Sequence, residues 1–346
     1  MRRFIIILIL FFLFALPVNA AEFTPPQVSD SGAAFMPDEP ETFSEGLLWI
    51  LKEAIAYIHP SLAKASGICL GLIAVVMILS LAQGMPNVPE KTLQLVGTVM
   101  VGTLMLQTTN TMIQLGAETV TELSAYGKLL IPVMTAAVAA QGGAVTSTAM
   151  YTATVLFDAV LCSLISAGIV QMVYAYLGLS VASSAVSGDI LGKLRDFVKW
   201  LMTWSLKIVL YVFSGYMTIT GIVSGSADAS AIKAVKLTIS GMVPVVGSIL
   251  SDASETILIS TGMMKNAVGV YGLLAIIAVW VGPFIQIGVQ YLLLKATCAV
   301  CGVFGVKQPV KLMQDFTKAM GILLAMTSSI CLLLLISTVC MMKGIG

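Results

Sequence analysis

Six stretches of this chain are long and apolar enough to cross a bilayer, which takes about 20 residues as a helix. They are roughly 66–83, 93–114, 152–178, 198–222, 268–294 and 319–342. A chain in lipid must satisfy its own backbone hydrogen bonds, so only helices and closed barrels span membranes. The apolar/polar alternation of barrel strands is absent, so the expected fold is all-α: a polytopic integral membrane protein. Composition agrees, with 58% hydrophobic and 10% charged residues against about 25% charged in a soluble domain. A net charge of +1 without a basic run argues against nucleic acid as a partner.

The N-terminus reads as a signal peptide over 1–20. Arg2 and Arg3 precede an apolar region from Phe4 to Leu16, and Val18-Asn19-Ala20 forms a small-residue cleavage site before Ala21. The alternative is an uncleaved anchor, and either puts the next segment outside the cytoplasm. That segment, 21–65, is an acidic lead. Pro25, Pro26, Pro37 and Pro40 predict an extended or disordered first half. Leu47, Leu48, Leu51, Ala54, Ile55 and Ile58 predict an amphipathic helix over 45–58, lying on the membrane or a partner and ended by His59-Pro60. The transmembrane domain takes up 66–346.

Two further segments are apolar but short and carry breakers. One is 129–149, with Pro132 and the turn Gln141-Gly142-Gly143; the other is 237–262, with Pro244, Gly247 and Asp252. If both turn back, the cytoplasmic loops are about 84–92, 179–199 and 295–318. These hold Lys91, Lys193, Arg195, Lys199, Lys295, Lys307, Lys311 and Lys318. The positive-inside rule favours that arrangement, so both segments are expected to be re-entrant or interfacial. The order helix, polar loop, Pro segment, helix occurs around 93–178 and again around 198–294, which suggests an internal duplication. Paired broken segments are what transporter folds place at their central site. These two, if they face each other, would make a polar path or docking surface.

Asp158 and Lys207 lie within spans, and intramembrane charges are functional candidates. They could pair across their two helices, although Lys207 could instead snorkel and Asp158 bond a neighbouring hydroxyl. No catalytic set is found. The single histidine, His59, lies outside the spans, and Ser187-Gly188-Asp189 lacks the first glycine of an aspartyl intramembrane protease motif. Cys298-Ala299-Val300-Cys301 has no second pair, which makes zinc improbable. No cofactor is expected.

The run Gly221-Ile222-Val223-Ser224-Gly225-Ser226-Ala227-Asp228, then Lys233-Ala234-Val235-Lys236, Val243-Pro244-Val245-Val246-Gly247-Ser248 and Lys265-Asn266-Ala267-Val268-Gly269, resembles the stage III sporulation protein AE family of endospore-forming bacteria. The resemblance in plan covers nearly the whole chain and is most specific over 221–269. It implies a component of the channel, or feeding tube, between mother cell and engulfed forespore, placed in the mother-cell membrane around the forespore. The partners implied are other stage III sporulation membrane proteins, with membrane lipid around them. A homo-oligomer is compatible with this, and no enzymatic activity is implied. A stand-alone solute transporter and a non-conducting scaffold are the alternatives.

Overall fold

The computed structural model describes residues 26, 28–37, 42–85, 89–141, 143–185, 189–242 and 247–343; at 189 and over 221–266 it describes backbone only. The signal segment 1–20 lies outside the described residues. Among them every regular element is helical: α1 (Asp30–Ala33), α2 (Phe43–Gln83), α3 (Glu90–Ala140), α4 (Ala144–Ala185), α5 (Asp189–Met242), α6 (Gly247–Gly302) and α7 (Lys307–Lys343). Six of these are long and apolar enough to cross a membrane. The chain is thus an all-α multi-pass membrane protein.

α7 is the central helix. It is apolar nearly all round, and such a helix must be covered on every side. Phe316, Ala319, Met320, Leu323, Met326, Ile330, Leu333 and Leu334 are buried, with α3, α6, α5 and α4 packed around them. Small residues let the backbones approach. A Cβ on Gly97 would lie 2.5 Å from Leu79 and 2.8 Å from Pro309, so α2, α3 and α7 meet there. Farther along, Gly127 faces Leu334, Gly272 faces Leu130 and Gly269 faces Met342. Ser80 donates a hydrogen bond to the Phe304 carbonyl (3.1 Å), joining the last turn of α2 to the turn before α7. The end of α2 and the start of α7 therefore share one end of the bundle, and the Arg195 to Asp315 pair brings the first turns of α5 there too. That end carries the basic residues from Lys91 to Lys318 named above, which makes it the cytoplasmic end under the positive-inside rule.

Three expectations need correction. The segment 129–149 is not a separate re-entrant element. Residues 129–140 are the last turns of α3, which runs through Pro132 without a break. Their apolarity comes from helix packing: Leu130, Ile131, Met134 and Val138 are buried in the core. The turn itself falls where expected. The Gly143 N–H donates to the Val138 carbonyl (3.1 Å), a six-residue closure typical of helix C-termini. At about 1.5 Å per residue, the 51 residues of α3 extend roughly 75 Å, over twice the ~30 Å hydrocarbon core.

The second correction concerns the lead helix. His59-Pro60 does not end it: α2 is continuous from Phe43 to Gln83 with Pro60 inside. Packing on both sides of the proline outweighs the lost backbone bond, with Cys69, Leu72 and Val76 buried in the main core after it. Ile50 and Ala54 are buried with Leu274, Ala278 and Val281 of α6, and Gln286 Nε2 donates to the Tyr57 hydroxyl (2.8 Å). Of the apolar residues expected to form one face, Leu48, Leu51 and Ile55 are exposed while Ala54 is buried. Third, part of the proline-rich lead is docked. Phe35 packs edge-on to Tyr57 and into the space over Gly282, where a Cβ would come within 2.8 Å of its ring. Ser29 donates to Glu122 of α3 (3.1 Å).

The two proposed repeats each contain one junction between long helices, at 141–143 and 243–246. Pro132 precedes its junction by nine residues, whereas Pro244 falls within 243–246, outside the described residues.

Candidate functional site

Asp158 lies on α4 with 5% of its surface exposed. Ser124 of α3 donates to its Oδ2 at 2.7 Å, while Oδ1 has no hydrogen-bond partner among the described residues. One turn earlier, the Thr154 and Ser337 hydroxyls are 2.5 Å apart. Asp158 thus belongs to a buried polar contact joining α3 to α4, next to one joining α4 to α7. A π-helical turn, Leu164–Ile169, follows on the same helix. Such turns recur at functional positions in helices.

Lys207 is not part of this contact. It lies on α5, exposed, on a groove formed with α6 and α7. The pairing of Asp158 with Lys207 is therefore absent: the carboxylate takes its hydrogen bond from Ser124 instead. Pro132, Gln141 and Gly143 sit at the far end of the bundle. Gly142 and Pro244 lie outside the described residues. Gly247 starts α6 and Asp252 lies in its first turns, without a described side chain. Cys298 and Cys301 are free and buried, and no metal-binding group of residues occurs among the described residues.

The strongest polar cluster was not anticipated as a site. Asp315 of α7 is fully buried, at 0% exposure. Its Oδ2 accepts from Arg195 Nη1 of α5 at 2.5 Å, and its Oδ1 from Lys318 Nζ at 2.9 Å and the Tyr176 hydroxyl at 3.4 Å. Arg195 also bonds the exposed Asp196. Three helices, α4, α5 and α7, are held by one carboxylate. A buried charge persists only when paired and hydrogen-bonded, and here both conditions hold. Sequence reading placed Arg195 in the cytoplasmic loop 179–199 and gave no role to Asp315, which falls within the loop 295–318. One available signal was missed: Asp315 shares a helical face with Leu312, Phe316 and Ala319, all buried.

A second polar feature is formed by other helices. A cleft of about 250 Å³ between α2, α3 and α6 is lined by Tyr57, Lys64, Gln107, Thr111, Gln286 and Gln290, among others. Gln290 is 4% exposed. Amide and hydroxyl side chains concentrated at one place on otherwise apolar helices can hold water or a small polar solute.

With this geometry in hand, the chain was compared with known proteins. Residues 44–345 match the model of the family described as stage III sporulation protein AE. The chain is also similar to the stage III sporulation protein AE of Bacillus subtilis (strain 168), with 24% identity over 185 residues. That stretch is 53% of this chain and 46% of the relative, so the match spans about half the length of the curated relative. No solved structure matches.

Proposed function

Because the chain belongs to the stage III sporulation protein AE family, we propose that this sporulation membrane protein is an integral component of the channel complex between mother cell and forespore. It sits in the mother-cell membrane around the forespore, acts after engulfment and forms part of a conduit or its membrane base. The family match over 44–345 carries this reading. Its role is non-catalytic, and its partners are other membrane proteins of the same complex.

The packing favours a wall element over a self-contained pore. The described core is filled by apolar side chains such as Leu130, Met134, Phe316 and Leu334, each fully buried. Polar surface is found instead in the cleft at the side of the bundle. That cleft is also the observation that favours the rival reading, a stand-alone transporter of a small polar solute.

Deletion of the gene should block spore development after engulfment, and normal spores from the deletion strain would overturn the proposal. Cysteine accessibility along 129–149 and 237–262, scanned with and without partner proteins, separates the readings. Partner-dependent water access supports a conduit. Access without partners supports a transporter, and uniform protection supports a scaffold. Transport by the reconstituted chain alone, altered by Asp158→Asn, would favour the transporter.

A further inference from the structure

The groove between α5, α6 and α7 has a cavity volume of about 660 Å³. Four lysines line it: Lys199 and Lys207 from α5, Lys295 from α6 and Lys318 from α7. No carboxylate lines it. Lys318 is committed to Asp315. The other three have no carboxylate within ion-pair distance among the described residues. Lys295 instead rests over the Tyr291 ring at 5.6 Å. The hydroxyls nearby are already used, since Thr203 donates to the Lys199 carbonyl and Thr317 to that of Met313. Lys199, Lys207 and Lys295 are therefore the groove's uncommitted cationic donors, beside the neutral Gln314 and Ser328.

Most of the remaining wall is apolar. Leu206 and Leu210 flank Lys207 on α5, and Ile322, Ala325 and Leu332 carry the apolar wall past Lys318 on α7. From Lys318 to Leu332 is 14 residues of α7, about 21 Å at helical rise. One bilayer leaflet has about 15 Å of hydrocarbon, half the ~30 Å core. The groove thus combines lysines that start at the basic end of the bundle and reach Lys207, eight residues or about 12 Å further along α5, with an apolar wall as deep as a leaflet. Clustered like charge at a membrane boundary is unfavourable unless an anion offsets it.

We propose that this groove binds an anionic phospholipid of the cytoplasmic leaflet, its phosphate on Lys199, Lys207 and Lys295 and one acyl chain along Leu206, Leu210, Ile322 and Leu332. The charge selects the headgroup, and the apolar floor requires a lipid rather than a free phosphate. This inference does not depend on the channel reading.

The test uses the full chain in phosphatidylcholine nanodiscs doped with spin-labelled phosphatidylglycerol or spin-labelled phosphatidylcholine. The immobilised fraction of each label is measured. Phosphatidylglycerol should be immobilised preferentially. In Lys207→Gln/Lys295→Gln that preference should fall roughly 10-fold or more, since each basic residue adds substantially to anionic-lipid association. Neither lysine has an ion-pair partner, so the variant is expected to fold. Lys311→Gln, at an exposed lysine outside the groove, removes a charge at the same end and should keep the preference. Equal immobilisation of the two lipids, or an undiminished preference in the double variant, overturns the proposal. Displacement of the label by inorganic phosphate would make the ligand a free anion and also overturn it. So would cross-linking of two copies through a cysteine placed at Leu210, with the label excluded, because it would make the groove a protein interface.

Discussion

Asp315→Asn tests whether the carboxylate at the junction of α4, α5 and α7 holds the bundle together. The substitution keeps the shape and removes the charge. Arg195, with 7% of its side chain exposed, then keeps only Asp196, whose side chain is 64% exposed. Removing one partner of a buried ion pair costs about 3–5 kcal/mol, because the remaining charge stays desolvated. Lys318 is 41% exposed, so losing its bond adds ~1 kcal/mol at most. The expected loss is thus about 3–5 kcal/mol, governed by Arg195. Equilibrium unfolding in mixed micelles, titrated with a denaturing detergent and followed by far-UV circular dichroism, measures it. Arg195→Met/Asp315→Leu should recover most of the loss, because replacing both charges removes the desolvation cost along with the attraction. An Asp315→Asn protein within about 1 kcal/mol of the parent would refute the reasoning, since Arg195 would then have to be hydrated well enough to need no partner.

Other consequences are open to the same unfolding measurement. Gly97→Val should cost about 1–3 kcal/mol by forcing Leu79 and Pro309 apart, while Gly102→Ala, whose nearest neighbour would be Leu312 at 3.7 Å, should be tolerated. Ser124→Ala leaves the buried Asp158 without its hydrogen bond and should cost about 1–3 kcal/mol. Tyr57→Phe removes the acceptor of Gln286 and should cost ~1 kcal/mol. Phe35→Ala should release the docked lead, read as faster limited proteolysis between residues 28 and 42 with the helical bundle left intact.

The spans were legible in the sequence because each is a long apolar run, and lipid leaves such a run one solution. The turn at Gln141 to Gly143 was legible for a similar reason: glycine after an apolar helix allows the closure onto Val138. Pro132 and Pro60 misled because a proline's local cost is visible in sequence while the tertiary packing that outweighs it is not. Ile50 against Leu274 and Ala278, together with the Tyr57 to Gln286 bond, holds α2 across Pro60. The buried Asp315 was hidden by a related bias. Charge at the end of an apolar run suggests a solvated loop, and only the helical phase of Leu312, Phe316 and Ala319 signals otherwise. Asp158 was found as a buried charge, but its partner could not be read. Ser124 is 34 positions away and nothing local marks it.

The two polar surfaces are built by different helices, α5, α6 and α7 for the groove and α2, α3 and α6 for the cleft, and this separation bears on how a conduit would be built. The groove of α5, α6 and α7 is suited to a lipid, so that face would be turned toward the bilayer. The cleft of α2, α3 and α6 is then the side left for a neighbour. At about 250 Å³ the cleft is below the roughly 300–1,000 Å³ of ordinary small-molecule pockets, so it does not by itself make a wide path. A wider path needs a second wall, supplied by another copy or another subunit placed against Gln107 and Thr111, both exposed on α3. In that arrangement the exposed polar side chains of one chain line a space that exists only in the assembly. Water access at Gln290, buried behind them, would change on assembly, while access at the lysine groove would not. A stand-alone transporter predicts the reverse order of dependence, with Gln290 reaching water in the isolated chain.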